Sequence, residues 1–177
     1  MTTDASIPHV VVVVLNWNGR DDTLACLASL ARCTYPSLRV LVVDNGSHDG
    51  SEDAVRAAFP DVDLVQTGSN LGFAGGNNAG IDWALSHGAD HVLLLNNDTV
   101  VEPDFVEPLV EAAQADPSVG VVGASIAYAS RPDRLWAFGG GWFDIATGKV
   151  RHVQHEVDQA TLGTRGTRHY YITGCTM

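Results

Sequence analysis

The sequence predicts an α/β chain: a doubly wound, mostly parallel sheet with helices on both faces. Three observations carry that prediction. Short apolar runs rich in Val, Leu and Ile recur from Val10 to Gly123, helical patterns separate them, and the runs are continuous rather than alternating. A strand covered on both faces reads as a continuous run, whereas a strand wetted on one face alternates.

The first strand is expected over residues 10–15 and the first helix over 20–32, where Leu24, Leu27, Leu30 and Ala31 share a face and Asp21 and Asp22 occupy the first turn. A second strand over 40–43 leads to a helix over 51–59, begun by Ser51 ahead of Glu52 and Asp53. The third strand, 62–65, precedes a helix over 76–86. A fourth strand over 92–95 is followed by a helix over 103–115, with Pro103 at its first position, and by a fifth strand over 119–122. Strand-helix alternation of this kind winds right-handed. From Ser125 onward the pattern loosens into Gly139-Gly140-Gly141, the aromatics Trp136, Phe138, Trp142 and Phe143, and a strand at His169-Tyr170-Tyr171-Ile172. These later elements are expected to lie across the sheet within one domain, 1–177, whose nucleotide-binding part is residues 9–124 and whose acceptor-side part is 125–177.

Composition narrows the partners. The 177 residues hold 10 Lys+Arg against 21 Asp+Glu, a formal net charge of −11. Without a basic cluster, duplex nucleic acid is excluded as a partner. A nucleotide with a divalent cation remains. Cys26 and Cys33 stand two helical turns apart, ~10 Å along the axis, too far for a disulfide. With Cys175 they make an odd set lacking zinc spacing, which points to thiols in a reducing cytoplasm. No apolar run approaches the ~18 residues of a membrane helix, and none has the flanks of a signal peptide.

In an open parallel sheet, ligands gather beyond the carboxyl ends of the strands. Three of those ends are polar here: Asn16-Trp17-Asn18-Gly19, Asp44-Asn45-Gly46-Ser47 and Asn96-Asn97-Asp98-Thr99. Any one of them could serve as a turn or a cap. Their coincidence at one edge points to a site. The run from Gly68 to Gly80, GSNLGFAGGNNAG, follows the third strand and opens the next helix, so its glycines and free N–H groups suit a diphosphate. It is neither a Walker loop nor a GxGxxG turn. Asp98, the one carboxylate of its cluster, suits Mg²⁺ or Mn²⁺ when a substrate's phosphates complete the shell. Asp44 suits a hydrogen bond from a base or ribose, a pyrimidine ring N–H being a fitting donor.

At these residues the sequence resembles the family-two nucleotide-sugar glycosyltransferases of GT-A fold, in particular their rhamnosyltransferase-like branch. The resemblance is carried by Val14-Leu15-Asn16-Trp17-Asn18-Gly19, Val42-Val43-Asp44-Asn45-Gly46-Ser47 with Asp49-Gly50-Ser51 behind it, the Asn70–Gly80 run and Leu94-Leu95-Asn96-Asn97-Asp98-Thr99. It implies a nucleotide-sugar site made by Leu15, Asn16, Trp17, Asn18, Asp44, Ser47, Asn70, Gly72, Gly75, Asn77, Asn78 and Asn97, with Asp98 on the metal. Thr173 and Gly174, in a Thr-Gly-x-Cys segment, would line the acceptor side. Asn77 departs from the Arg of many members, and Asn96-Asn97-Asp98 keeps only the last acid of the usual Asp-x-Asp.

The implied activity is inverting transfer of a sugar, rhamnose being favoured, from a nucleoside diphosphate-sugar to a hydroxyl of a glycan or lipid-linked acceptor. The implied location is the cytoplasm, with peripheral association at the inner face of the membrane. In the family the general base lies in a Glu-Asp pair downstream of Thr-Gly-x-Cys-Met, so it is expected beyond Met177. Asp133, Asp144, Glu156 and Asp158 are poor substitutes, since their neighbours read as exposed loops. The alternative is a catalytically incomplete module that only binds nucleotide-sugar.

Overall fold

The computed structural model describes residues 6–138, 140–144, 146–147, 149–152 and 171–172. It forms two compact units, Met1–Glu107 and Pro108–Met177.

The first unit contains β1 (Val10–Asn16), α1 (Arg20–Leu30), β2 (Leu38–Asp44), α2 (Ser51–Ala58), β3 (Asp63–Gln66), α3 (Gly72–Ser86) and β4 (His91–Asn96). Its four strands are all parallel, in the order β3-β2-β1-β4. The chain therefore winds outward from β1 through β2 to β3, then crosses back to β4 on the other side of β1. Right-handed crossovers place α1 and α2 on one face and α3 on the other.

Val10, Val11, Val12, Val13 and Val14 are all at most 1% exposed, as a central strand covered on both faces requires. Val11 and Val13 pack with Leu41, Val43 and Ala84 on the α3 face. Alternation then turns Val10, Val12, Val14 and Asn16 toward α1.

Helix α3 sits close to the sheet because two of its residues have no side chain. A Cβ on Gly80 would overlap Val13 Cγ1 and stand 3.1 Å from Val43 Cγ2; one on Gly76 would overlap Leu15 Cδ1 and stand 3.2 Å from Asn45 Nδ2. Gly76 and Gly80 are one turn apart, so both face β1 and β2.

Helix α4 (Val106–Ala115) starts later than expected. Pro103 lies in the preceding turn, where its carbonyl accepts from the Thr34 backbone N–H at 2.9 Å and from Thr34 Oγ1 at 3.1 Å instead of opening a helix. The expected fifth parallel strand over 119–122 does not form. Those residues carry no strand, Val121 is 56% exposed, and Gly120 interrupts the run, weakening the segment's hold on an extended conformation.

In the second unit, β5 (Ser125–Tyr128) pairs antiparallel with β6 (Arg131–Phe138), and β7 (Gly140–Asp144) pairs antiparallel with β8 (Lys149–His152) and β9 (Tyr171–Ile172). Asp133 is exposed on β6 rather than in a loop. Asp144 is exposed at the end of β7, where Oδ1 accepts from the N–H groups of Ala146 at 2.9 Å and Thr147 at 3.3 Å, a turn-closing role. Glu156, Asp158, Thr173, Gly174, Cys175 and the His169-Tyr170 pair lie outside the described residues.

Candidate nucleotide site at the strand ends

The carboxyl ends of β1, β2, β3 and β4 are joined by one hydrogen-bonded polar network. Its hub is Asn16, wholly buried. Its Nδ2 donates to Asp44 Oδ1 at 3.0 Å and to Ser47 Oγ at 3.1 Å, while Oδ1 accepts from the Gly19 N–H, Thr23 Oγ1 and Asn97 Nδ2 at 3.1, 3.0 and 3.2 Å. Every hydrogen-bonding position of that amide is used inside the protein.

Asp44 is 1% exposed and keeps its carboxylate satisfied with three donors: Asn16 Nδ2 and Ser47 Oγ on Oδ1, and Gln66 Nε2 on Oδ2 at 2.6 Å. Gln66 is exposed at the end of β3 and makes four bonds. Besides Asp44, Nε2 reaches Glu52 Oε2 at 3.0 Å, and Oε1 accepts from the N–H groups of Gly46 at 3.2 Å and Gly68 at 3.1 Å. Donation from Gln66, then from Arg56, holds the Glu52 carboxyl below its ordinary range. Gly46 has φ +76°, and a Cβ there would lie 2.7 Å from Ser69 Cα, so only glycine lets these two loops touch.

A second buried amide organises the start of α3. Asn45 is 2% exposed; Nδ2 donates to Asn70 Oδ1 at 3.1 Å and Gly72 O at 3.2 Å, and Oδ1 accepts from the Leu71 N–H at 3.0 Å and Thr67 Oγ1 at 3.2 Å. Asn70 Oδ1 also accepts from the Gly72 N–H at 2.8 Å. These bonds start α3 at Gly72, four residues earlier than expected, so the glycine-rich run from Gly72 to Gly80 belongs to the helix and only residues 68–71 form a loop before it. The N–H groups of Phe73 and Ala74 have no intrahelical partner in the first turn of α3, and the helix dipole favours an anion there.

The remaining candidates divide between inward and outward. Leu15 is half-buried against α3, Gly75 packs beside Leu71, and Asn97 Nδ2 also donates to Thr23 Oγ1 at 3.0 Å, clipping β4 to α1. Asn77, 5% exposed, donates back along its own helix to Phe73 O at 2.9 Å. Facing outward are Asn70, Gly72, Asn78, Trp17 and Asp98. Trp17 is 56% exposed because Asn18 adopts φ +54°, with its N–H on Ser47 Oγ and its Oδ1 accepting from the His48 N–H, which turns the chain away from β1.

Asp98 directly follows Asn97, is exposed, and has no hydrogen-bond partner among the described residues. That donor chemistry fits a hard divalent cation whose shell is completed by phosphate oxygens and water. Among the described residues no group of three or more His, Cys, Asp or Glu could hold a metal ion by itself.

Two residues that carry no assigned role in the sequence reading are prominent. Gln66 gave no signal, being one polar residue at the end of a short run. Asp49 caps two helices at once: Oδ2 accepts from the Arg20 N–H at 3.0 Å, and Oδ1 accepts from the Ser51 N–H at 3.1 Å and from Ser51 Oγ. Its carboxyl is held below the ordinary range; burial opposes this, and the Ser51 and backbone donors outweigh it. A shallow depression of about 290 Å³ beside it is lined by Asn18, Gly19, Arg20, Asp21, Asp22 and Asp49. Three carboxylates make that hollow unsuited to a phosphate.

The profile described as glycosyl transferase family 2 matches residues 10–171. Over 112 residues the chain is 34% identical to the N-acetylglucosaminyl-diphospho-decaprenol L-rhamnosyltransferase of Mycobacterium tuberculosis, covering 56% of this chain and 35% of that protein. It is 29% identical over 127 residues to the polyprenol monophosphomannose synthase of Mycolicibacterium smegmatis, covering 70% and 45%. Among solved structures, the mannosyltransferase PcManGT from Pyrobaculum calidifontis in complex with GDP-Man and Mn²⁺ superposes with a TM-score of 0.59 at 29% identity, covering 70% of this chain and 37% of that one. The chain thus spans less than half the length of these relatives. Its fold is that of the GT-A glycosyltransferases.

Proposed function

Because the chain belongs to glycosyl transferase family 2, we propose that it forms the donor-binding part of an enzyme that moves a sugar from a nucleoside diphosphate-sugar to a hydroxyl of a glycan or lipid-linked acceptor. The observation that carries this reading is the division of labour at the sheet edge. The buried amides of Asn16 and Asn45 and the half-buried amide of Asn97 lock the strand ends together, while Asp98, Asn70, Asn78, Trp17 and the first turn of α3 face outward. Such a rim is preorganised, so ligand charge meets fixed dipoles rather than loops that must reorder.

In this reading the N–H groups of Phe73 and Ala74 receive the diphosphate, and Asp44, Trp17 and Asn18 border the base. Asp98 holds Mg²⁺ or Mn²⁺, which when bound supplies positive charge at the leaving diphosphate. Transfer inverts the anomeric centre through a single displacement, and the acceptor proton goes to a carboxylate that is not assigned to any described residue. The mycobacterial relative named as a rhamnosyltransferase acting on a decaprenol-linked sugar favours rhamnose and a lipid-linked acceptor. Such an acceptor would bring the protein to the inner face of the membrane as a peripheral partner; no described helix is long and apolar enough to cross it.

A thermal-shift panel of uridine, thymidine and guanosine diphosphates tests the reading. One of them should raise the melting temperature with Mn²⁺ and lose most of that effect with chelator. No shift with any of the three would overturn it.

A further inference from the structure

We propose that Gln66 is the specificity-determining residue at the base end of this site: its amide caps Asp44, and a nucleobase is held only when it brings a ring N–H that takes over Gln66's place on the carboxylate. The inference rests on the nucleotide-sugar reading above and adds Gln66, whose displacement that reading lacks.

Asp44 is 1% exposed, so no ligand can reach it without displacing a donor. Its three donors differ in what displacement would cost. Asn16 is wholly buried and holds five bonds. Ser47 is half-buried and also accepts from Asn16 Nδ2 and the Asn18 N–H, so its loss would unpick the β1 end. Gln66 is exposed, and its Nε2 already has a second acceptor in Glu52 Oε2 at 3.0 Å. When Gln66 turns off Asp44, one N–H stays on Glu52 and the other goes to water, while the N–H groups of Gly46 and Gly68 must keep Oε1 or take water in its place. Of the three donors it is the exposed one, and so the one a ligand can displace.

The exchange sets the selectivity. A base with a ring N–H replaces the lost bond on Asp44 Oδ2. A base whose ring nitrogen is blocked uncovers a buried carboxylate and returns nothing, a difference of about tenfold or more in affinity. Gln66 therefore acts as a cover that only a suitable donor repays.

The test is calorimetric titration with Mn²⁺ of uridine, thymidine and guanosine diphosphates, each against its ring-N-methylated counterpart. The methylated form of whichever base binds should be about tenfold weaker. Gln66→Ala, with no cover to displace, should bind the parent diphosphate several-fold more tightly than the native chain. Glu52→Ala, which removes the refuge of the displaced amide, should bind it more weakly. A merely structural Gln66 would give weaker binding in Gln66→Ala, and that result, or equal binding, overturns the proposal. Should Gln66→Ala melt before titration, Glu52→Ala decides, and unchanged or tighter binding there overturns it. Failure of all three diphosphates to bind the native chain sinks the nucleotide reading itself, whereas binding indifferent to both substitutions sinks only the exchange.

Discussion

Asn16 and Asp44 are register partners at the ends of parallel β1 and β2, and Asn16 Nδ2 donates to Asp44 Oδ1 at 3.0 Å in the interior of the unit. A carboxylate this deeply covered is tolerable only while donors surround it. The amide that supplies one of those donors is itself oriented by Gly19, Thr23 and Asn97. The strand ends thus stand or fall together.

Asn16→Leu should accordingly destabilise the chain well beyond a surface change. It leaves Asp44, Ser47, Thr23 and Asn97 each short of a partner, at about 1–3 kcal/mol for an unsatisfied buried group. Urea unfolding measures the loss. A midpoint within error of the native chain would show that the network contributes nothing.

Asp98→Asn should leave the fold as it is, since the carboxylate is exposed and makes no hydrogen bond among the described residues. Metal-dependent nucleotide affinity should fall by at least the roughly tenfold to hundredfold that loss of an outer partner costs a metal site. Titration of a nucleoside diphosphate with and without Mn²⁺ reads this directly. Unchanged Mn²⁺ dependence would remove Asp98 from the metal.

Gly80→Ala gains helix propensity of about 1 kcal/mol but overlaps Val13 Cγ1, and overpacking costs about 1–3 kcal/mol. Because Val13 lies in the fully buried central strand, the clash should win. The variant should melt below the native chain, which differential scanning calorimetry would show.

Cys26 predicts a pH effect. Burial, opposed by a hydrogen bond with Thr99, pushes its thiol up from 9.0 to about 12. The folded chain therefore keeps the proton at a pH where the unfolded chain releases it, so the thiol's contribution to stability is intact below 9.0 and is lost as pH rises toward 12. Melting temperature should fall across that window, and less steeply in Cys26→Ala. Cys33, half-buried and raised by burial and then by Glu107, should alkylate faster than Cys26 in the folded chain.

What the amino-acid order alone determined is the alternation of elements and the polarity of the strand ends. Short continuous Val and Leu runs bounded by turn signals read as buried strands, and both signals are local, so β1 to β4 and α1 to α3 were legible together with the edge where Asp44, Asn70 and Asp98 gather. Tertiary structure decided which of those polar residues face solvent at that edge and which face the interior. Asn16, Asn45, Asn77 and Asn97 read the same as Asn70 and Asn78 in sequence, yet strand pairing and helix docking turn the first four inward and leave the last two outside. The failed strand over 119–122 and the unforeseen work of Gln66 and Asp49 have the same origin. A segment becomes a strand only with a partner, and a side chain becomes a cap or a cover only when remote backbone is brought within about 3 Å of it.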